Sequence, residues 1–222
     1  MRIGIVGSGF IGKSLANLAV KQSYQVMISN SRGPETLTGI AYEIGCQSGT
    51  VEEAVSFGDV VVVAIPLKNI FQLTPEMFEG KIVIDANNYY PHRDGQIAEL
   101  DEHRNTTSGL LARHLPQAKV VKALNAILAK DLTEDGRPSG APERRALPIA
   151  GDDKQAKEVV SHLVDQLGFD VVDAGPLSES WRFERAKPAY CIPLDPGGLI
   201  SALAKAERTV ELPDGSWRTK SS

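Results

Sequence analysis

The chain has 222 residues, 42% hydrophobic and 23% charged, which is the composition of a globular protein with one large domain or one domain and an appendage. A net charge of −4 without a long basic cluster argues against a nucleic-acid partner, and the longest dense apolar run, residues 60–66, is far too short to span a bilayer. Two cysteines, Cys46 and Cys191, have no metal-ligand spacing and suit a reducing compartment. Because the first strand begins at Arg2, a secretory signal peptide is not expected. We therefore expect a cytoplasmic protein with no metal site.

The first predicted elements are a strand, a glycine-rich turn and a helix. Arg2–Val6 is an apolar strand, and residues 10–22 show a helical apolar pattern. Between them runs Gly7-Ser8-Gly9-Phe10-Ile11-Gly12, which is G-x-G-x-x-G. The first glycine permits a tight turn, the second lets a pyrophosphate approach the backbone, and the third allows close helix–strand packing. Because a helix N-terminus also favours negative charge, this segment predicts a dinucleotide phosphate site.

Further strands and helices alternate along the chain. A helix opening at Pro34 is expected to end at Gly45, and a run of β-branched residues at 59–65 is typical of a parallel strand covered on both faces. The other predicted elements are strands at Gln25–Ser29, 81–86, 119–123, 148–150 and Asp170–Asp173, and helical segments at Val51–Phe57 and 154–167. Such alternation predicts an α/β fold, a Rossmann-type doubly wound and mostly parallel sheet.

Two segments depart from this rhythm. Residues 133–145 are polar and rich in Gly and Pro, which predicts a long loop. Residues 176–222 lose the alternation and carry the aromatic and basic cluster at 181–185. We therefore expect an NADP-binding domain over residues 1–175 and a C-terminal segment over 176–222 that covers the substrate site or contacts a second subunit.

The residues after the second strand indicate which dinucleotide binds. NAD-binding sites usually carry an Asp or Glu there, whereas this chain reads Ser29-Asn30-Ser31-Arg32. Arg32 can pair with a 2′-phosphate and stack on adenine, and Ser31 can donate to the phosphate oxygens. The pattern therefore favours NADP over NAD. The alternative is a polar turn with a solvated arginine.

The catalytic candidates are few. No Tyr-x-x-x-Lys pair occurs, and His103, His114 and His162 lie in segments without a catalytic pattern. His92 lies past the end of a predicted strand, where ligands bind in open α/β sheets, although an exposed loop is the alternative. Asn125 follows the strand at 119–123 and could bind a carboxamide or substrate ring, or cap a helix. The predicted catalytic candidates are therefore Asn125 and His92.

The absence of a clear general acid or base limits the chemistry. Carbonyl reduction needs a positioned proton donor, whereas hydride transfer to a flavin-like ring needs two flat rings held face to face. We therefore expect a flat redox acceptor, with residues 133–145 and 181–185 as the available covers of the site.

Several of these stretches resemble one family, the NADPH-dependent reductases of the deazaflavin coenzyme F-420. They are M-R-I-G-I-V-G-S-G-F-I-G, S-N-S-R-G-P-E, A-I-P, V-V-K-A-L-N, P-I-A-G-D-D and L-G-F-D-V-V-D-A-G-P-L, which together extend to about residue 178. The resemblance implies NADPH as cofactor, a deazaflavin or flavin as second substrate, and a homodimer. Related domains act as flavin-linked metal reductases in membrane proteins. The chain departs from the family pattern at Leu124, at Ile127-Leu128 and beyond residue 180.

The pattern and the resemblance together define a set of predicted cofactor contacts. The resemblance assigns the pyrophosphate to the glycine loop, the 2′-phosphate to Ser31 and Arg32, and the nicotinamide side to Ile65 and Pro66. The predicted cofactor-binding residues are Gly7, Ser8, Gly9, Phe10, Ile11, Gly12, Asn30, Ser31, Arg32, Ala64, Ile65, Pro66 and Asn87.

Two other functions remain open at this point. A reductase of imines or ketones similar to pyrroline-carboxylate reductase shares the fold, but it needs a proton donor near Asn125 or His92 and a helical dimerisation domain. A non-enzymatic NADPH sensor would bind the cofactor without turnover.

Overall fold

The computed structural model describes residues 1–213, 215 and 216. Of the predicted C-terminal segment, residues 214 and 217–222 therefore lie outside the described residues. It contains a single eight-stranded sheet with the order β3-β2-β1-β4-β5-β6-β7-β8. The strands are β1 (Arg2–Val6), β2 (Gln25–Ser29), β3 (Gln47–Gly49), β4 (Val60–Val63), β5 (Ile82–Asp85), β6 (Lys119–Lys122), β7 (Ala146–Gly151) and β8 (Asp170–Asp173).

Helices cover both faces of the sheet. Among the described residues they are α1 (Phe10–Lys21), α2 (Thr38–Ile44), α3 (Val51–Phe57), α4 (Pro91–Asp94), α5 (Ala98–Asp101), α6 (Thr107–His114), α7 (Ala129–Glu134), α8 (Lys154–Gln166) and α9 (Pro196–Lys205). None of these helices is long and apolar enough to cross a membrane.

Two apolar layers sandwich the strands. On one face α1, α7 and α8 bury Leu15, Leu132 and Val160 against the sheet. On the other face α3, α6 and the 3-10 turns between β4 and β5 bury a second cluster that includes Val55 and Leu110. All four valines of β4 are buried, as expected for a parallel strand covered on both sides. The predicted doubly wound, mostly parallel α/β fold is therefore confirmed.

The strand order places a crevice between β1 and β4. From β1 the chain moves outward through β2 to β3, and it then crosses to β4 on the other side of β1. At such a switch point the loops after the two neighbouring strands diverge and leave a groove at their carboxyl ends. The glycine-rich turn follows β1, and Ala64-Ile65-Pro66 follows β4, so both border this groove.

The structure differs from the sequence-based expectations in several elements. The helix predicted from Pro34 is a 3-10 turn, Pro34–Leu37, followed by α2, which ends at Gly45 in the left-handed conformation as expected. The short edge strand β3 was not predicted, because its three residues, Gln-Ser-Gly, carry no apolar pattern. The helices α4, α5, α6, α7 and α9 were also missed. The strand β7 is longer than predicted and runs antiparallel to β6, although β8 is parallel to β7.

The C-terminal segment forms a third apolar cluster. A 3-10 helix, Leu177–Phe183, and α9 pack beside β7, with Phe183, Tyr190 and Leu199 in the core of the cluster. The described part of residues 176–222 therefore shares its core with β7. Its predicted role as a substrate-site cover or dimer contact stays a prediction.

Candidate active site

The glycine-rich turn has the geometry that its sequence predicted. Gly7 has φ +118°, and a Cβ at this position would overlap the carbonyl oxygen of Ala64 at the end of β4. A Cβ on Gly12 would overlap the carbonyl oxygen of Gly7, so this glycine lets α1 approach the turn closely. A Cβ on Gly9, in contrast, would have no atom within 4 Å. Gly9 therefore faces open space, as required where a ligand approaches the backbone.

The N-terminus of α1 is left without a side-chain cap. Gly9 is the N-cap residue, and its carbonyl accepts the first helical bond from Lys13 N at 3.0 Å. The N–H groups of the first turn have no acceptor within the helix. They add their partial positive charge to that of the helix dipole, which creates a site for an anion.

Asn30 connects the loop after β2 to the glycine-rich turn. Its Nδ2 donates to Ser8 Oγ at 3.3 Å and to Thr36 Oγ1 at 3.0 Å, and its Oδ1 accepts from Arg32 N at 2.8 Å. Ser31 and Arg32 are exposed, and within the described part of the chain the Arg32 guanidinium forms no hydrogen bond or ion pair. The loop is therefore ordered by Asn30, while Arg32 keeps its donors for a ligand.

A cleft of about 510 Å³ lies along these loops, and we call it the glycine-loop cleft. Nine of the predicted cofactor contacts line it together: Gly7, Ser8, Gly9, Asn30, Ser31, Arg32, Ala64, Ile65 and Pro66. Its other walls, which sequence reasoning missed, come from the end of β1, the first turn of α3 and the residues after β4: Val6, Val51, Glu52, Asn69, Gln72, Leu73, Thr74 and Met77. Pattern analysis of a single segment could not have found them, because they come from separate elements that only the folded chain brings to one cleft.

The four remaining predicted contacts lie outside the lining of this cleft. Phe10 is 84% exposed at the start of α1, Ile11 is half-buried, and Gly12 is buried beneath the turn. Asn87 is buried behind Ile65, and its Oδ1 accepts from Ile65 N at 2.9 Å. Asn87 thus holds a residue of the cleft from behind.

Asn125 lies next to Asn88 at the ends of β6 and β5. The Nδ2 of Asn125 donates to Asn88 Oδ1 at 3.2 Å and to Phe183 O at 3.0 Å, while Asn88 Nδ2 donates to Asn125 O at 2.9 Å. The side chain of Asn125 is buried and ties the strand ends to the C-terminal segment. It caps no helix, since α7 begins four residues later with Leu128 as its N-cap, so that alternative is wrong.

The structure places His92 on the surface. It lies in α4, is exposed, and its ring makes an edge contact with Tyr90 at 5.8 Å between ring centroids. It does not line the glycine-loop cleft. Its role as a catalytic candidate therefore rests on the sequence pattern alone.

A second cleft, of about 370 Å³, lies past the end of β5, and we call it the Trp181 cleft. Its walls combine Tyr89, which follows β5, with Thr107 of α6 and with residues of the 181–185 cluster. The guanidinium groups of Arg182 and Arg208 lie 4.5 and 5.7 Å from the Trp181 ring centroid. The predicted aromatic cover therefore borders a cavity.

Two tyrosines that sequence reasoning missed contact each other through their hydroxyl groups. The hydroxyls of Tyr90 and Tyr190 are 2.8 Å apart, and Arg93 stacks on the Tyr90 ring at 4.7 Å from its centroid. Burial raises the pKa of Tyr190 far above its ordinary value, so this hydroxyl stays protonated. Because the two residues are 100 positions apart, no local pattern could have brought them together.

The loop predicted at 133–145 does not reach either cleft. Its first two residues belong to α7, and Arg137 N donates to Gly168 O at 2.9 Å at the end of α8. The buried Arg144 forms ion pairs with Asp165 and Asp170, both at 2.7 Å. No residue of this loop lines the glycine-loop or the Trp181 cleft. The structure therefore places it against α8, away from the expected position of a cover.

The residues present fit an NADP molecule. Gly9 provides open backbone beside an uncapped helix N-terminus for a pyrophosphate, and the exposed Arg32 provides a bidentate partner for a 2′-phosphate. The cleft does contain one carboxylate, Glu52, but it lies in the first turn of α3 and not at the end of β2, where NAD sites carry theirs.

Comparison with known proteins supports the same class. Residues 2–89 match the family model described as NADP oxidoreductase, coenzyme F420-dependent. Metalloreductase STEAP3 of Rattus norvegicus is 31% identical over 198 residues, which cover 86% of this chain and 38% of that protein. The chain thus spans about two fifths of the length of this curated relative.

Solved structures share the fold over most of the chain. A hypothetical protein from Sinorhizobium meliloti is 28% identical with a TM-score of 0.75, and the match covers 87% of this chain and 94% of that one. A candidate F420-dependent NADP reductase from Arthrobacter sp. FB24 is 24% identical with a TM-score of 0.68, covering 79% and 85%. At 24% identity, the second structure shows that this chain has the same fold. The family resemblance predicted from the sequence is confirmed by the family model, which matches residues 2–89 of the chain to the coenzyme F420-dependent NADP oxidoreductases.

Proposed function

We propose that this protein is an NADP(H)-dependent oxidoreductase that transfers a hydride between NADPH and a flat redox acceptor, a deazaflavin or a flavin. The observation that carries the proposal is the glycine-loop cleft, in which an uncapped helix N-terminus, the open Gly9 backbone and the exposed Arg32 face one groove. These groups match a pyrophosphate and a 2′-phosphate by charge and by hydrogen-bond donors.

The protein's own contribution is mainly orientation. Ile65 and Pro66 line the groove after β4, and the buried Asn87 holds the Ile65 amide from behind. Bound NADPH would supply the hydride, and the acceptor would take its proton from solvent, so the chain has to hold two rings in register. A protein that only orients the two rings needs no acid–base group in the cleft. In agreement with this, no histidine is among the described residues that line the glycine-loop cleft.

The Trp181 cleft supports a flat second substrate. Tyr89 and Trp181 offer aromatic walls, and Arg208 provides a nearby positive charge. Tyr89 lines the Trp181 cleft and follows Asn87 by two residues. Asn87 in turn holds Ile65 in the wall of the glycine-loop cleft. Because the lining also holds the carboxylates of Asp101, Glu184 and Glu211, the support that it gives to an aromatic acceptor rests on its aromatic walls.

The direct test is the oxidation of NADPH by the purified protein, followed at 340 nm with the deazaflavin, FMN, FAD or no acceptor in parallel. We expect acceptor-dependent turnover with NADPH and much slower turnover with NADH. Turnover with FMN or FAD but not the deazaflavin would assign a flavin. Tight binding of NADPH without turnover on any flat acceptor would reject the proposed acceptor class and leave a sensor or another reductase.

A second candidate function is the reduction of an imine or a ketone, which the tyrosine pair favours. Tyr90 and Tyr190 supply a hydroxyl that can donate a proton, and Tyr90 follows by two residues Asn88, whose side chain donates to the Asn125 carbonyl. Turnover with cyclic imines that falls at least tenfold in Tyr90→Phe, with unchanged NADPH affinity, would support this function. Activity of Tyr90→Phe equal to wild type would reject it.

We also propose a cytoplasmic homodimer without a nucleic-acid or membrane partner. The support for a dimer is the C-terminal segment, where Ile200 on α9 is 57% exposed and Val210 is 50% exposed. Light scattering on the purified protein should give twice the chain mass of 23.9 kDa. Substitution of Ile200 by Lys should then shift the mass towards the monomer.

A further inference from the structure

A fully buried ion pair lies at the ends of β5 and β6. Asp85 and Lys122 face each other in the strand register, with Lys122 Nζ 3.1 Å from Asp85 Oδ2, and both side chains are 0% exposed. Burying two charges is unfavourable unless hydrogen bonds satisfy them completely. A pair buried this deeply therefore depends on the residues that form hydrogen bonds with both charges.

Every polar atom of this pair is used. Lys122 Nζ donates to Asp85 Oδ2, to Asn87 O at 2.5 Å and to Thr107 Oγ1 at 2.9 Å. Asp85 also accepts from Asn87 N at 3.0 Å and from Ser108 Oγ at 2.5 Å. Three donors on the ammonium and three bonds to the carboxylate make a closed network, which is rigid.

The network forms hydrogen bonds with both backbone polar groups of Asn87. Its N–H is held by Asp85 and its carbonyl by Lys122, which leaves the side-chain Oδ1 aimed at Ile65 N at 2.9 Å. Ile65 lines the glycine-loop cleft after β4. The charge pair is therefore connected through one residue to the wall of the groove.

The same network reaches the C-terminal segment. Thr107 Oγ1, which accepts from Lys122, donates in turn to Glu184 Oε1 at 2.7 Å, and Glu184 borders the Trp181 cleft. Lys122 therefore lies between the groove and the second cleft, in contact with supports of both.

We infer that Lys122 is a positioning residue: acting through Asn87, it sets the place of Ile65 and thereby the part of the groove that receives the nicotinamide end of NADPH. This inference rests on the proposed function. The adenine end depends on Arg32 and the helix N-terminus, which the network does not touch, so the two ends of the cofactor should respond differently when the pair is removed.

The test compares the whole cofactor with its adenine half. The double variant Lys122→Met with Asp85→Asn removes both charges together, so no unpaired charge is left buried. By titration calorimetry we expect its dissociation constant for NADPH to rise at least tenfold and that for 2′,5′-ADP to change less than twofold. Equal weakening of both ligands, or of neither, would overturn the inference.

Asn87 provides the check that Lys122 acts through it. Asn87→Ala should reproduce the selective loss of NADPH affinity, and combining it with the charge-pair variant should add less than twofold, because residues in one network are not additive. Fully additive effects would contradict the assignment. For a double variant that does not fold, Thr107→Val removes the bonds of Thr107 Oγ1 to Lys122 and Glu184 while Thr107→Ser keeps both, and only the valine should show a selective loss for NADPH. Equal affinities of these two variants would reject the inference.

The proposed function fails in a different way. A wild-type protein that binds neither NADPH nor 2′,5′-ADP would remove the dinucleotide site itself. Wild-type binding of both ligands with an unaffected charge-pair variant would remove only the role of Lys122.

Discussion

Asn30 and Ser8 join the loops after β2 and β1, which both line the glycine-loop cleft, with Asn30 Nδ2 donating to Ser8 Oγ at 3.3 Å. The same side chain accepts from Arg32 N at 2.8 Å, so it shapes the loop on which Arg32 stands. A loop that is ordered before a ligand arrives loses less entropy on binding. We therefore expect Asn30 to support phosphate binding by ordering the loop that carries Arg32.

Arg32 should determine the preference for NADPH. In Arg32→Ala we expect the dissociation constant for NADPH to rise about tenfold to hundredfold, since a hydrogen bond to a charged group contributes about 1.5–3 kcal/mol. The constant for NADH should change less than threefold, because NADH has no 2′-phosphate. Calorimetry or fluorescence titration measures both.

A matched control is available for this charge change. Arg137 is also exposed but lies in the loop against α8, so Arg137→Ala should leave both constants as in wild type. Equal losses for NADPH and NADH in Arg32→Ala would contradict the assignment of the 2′-phosphate.

The glycines of the turn should separate folding from binding. Gly9→Ala introduces a methyl group into open space, so we expect an unchanged melting temperature but at least tenfold weaker NADPH binding, because the methyl group occupies the path of the pyrophosphate. Gly7→Ala overlaps the Ala64 carbonyl at a positive φ and should lower the melting temperature itself. Differential scanning fluorimetry and calorimetry together distinguish the two. A Gly9→Ala protein with wild-type NADPH affinity would count against a pyrophosphate at this turn.

Binding of the cofactor should not change the rate at which a protease cleaves the loop at 133–145. Glu143 is exposed in this loop, whereas Glu52 is exposed in the lining of the glycine-loop cleft. With the glutamate-specific protease Glu-C, we expect saturating NADPH to slow cleavage after Glu52 and to leave cleavage after Glu143 unchanged. Mass spectrometry of timed digests measures both rates in one experiment. Protection at Glu143 would show that the loop closes over the ligand.

Stability in acid should depend on Glu99. The Arg113 guanidinium and the Asn105 amide, each bonded to this carboxylate, lower the pKa of Glu99 to about 2. A carboxyl group whose pKa is lowered by folding stabilises the protein above its unfolded pKa of about 4.3, and that contribution is lost as the pH falls towards 2. The melting temperature of Glu99→Gln should therefore fall less steeply than that of wild type between pH 4.5 and 2.

The control for this prediction is another carboxylate. Glu79 is exposed and forms no ion pair among the described residues, so Glu79→Gln should follow the wild-type curve. Parallel curves for wild type and Glu99→Gln would show that the link between Glu99 and Arg113 contributes nothing to acid stability.

Local pattern was enough for the main elements of the fold. Arg2–Val6 and Gln25–Ser29 were predicted with the bounds that the structure shows, because an apolar run next to glycine or a polar turn needs no distant partner to be recognised. The edge strand Gln47–Gly49 was missed for the opposite reason: its polar residues pair only because β2 offers an open edge. The antiparallel direction of β7 is likewise a property of the assembled sheet.

The candidate site divides in the same way. Short segments of sequence were enough to predict the glycine-rich turn, the absence of an acid after β2 and the presence of Arg32, because each lies within six consecutive residues. Tertiary structure alone decided that Asp85 meets Lys122, that Tyr90 meets Tyr190 and that Asn87 lies behind Ile65. These contacts join residues 22 to 100 positions apart, and a buried polar group shows its role only when the partner that satisfies it is in place.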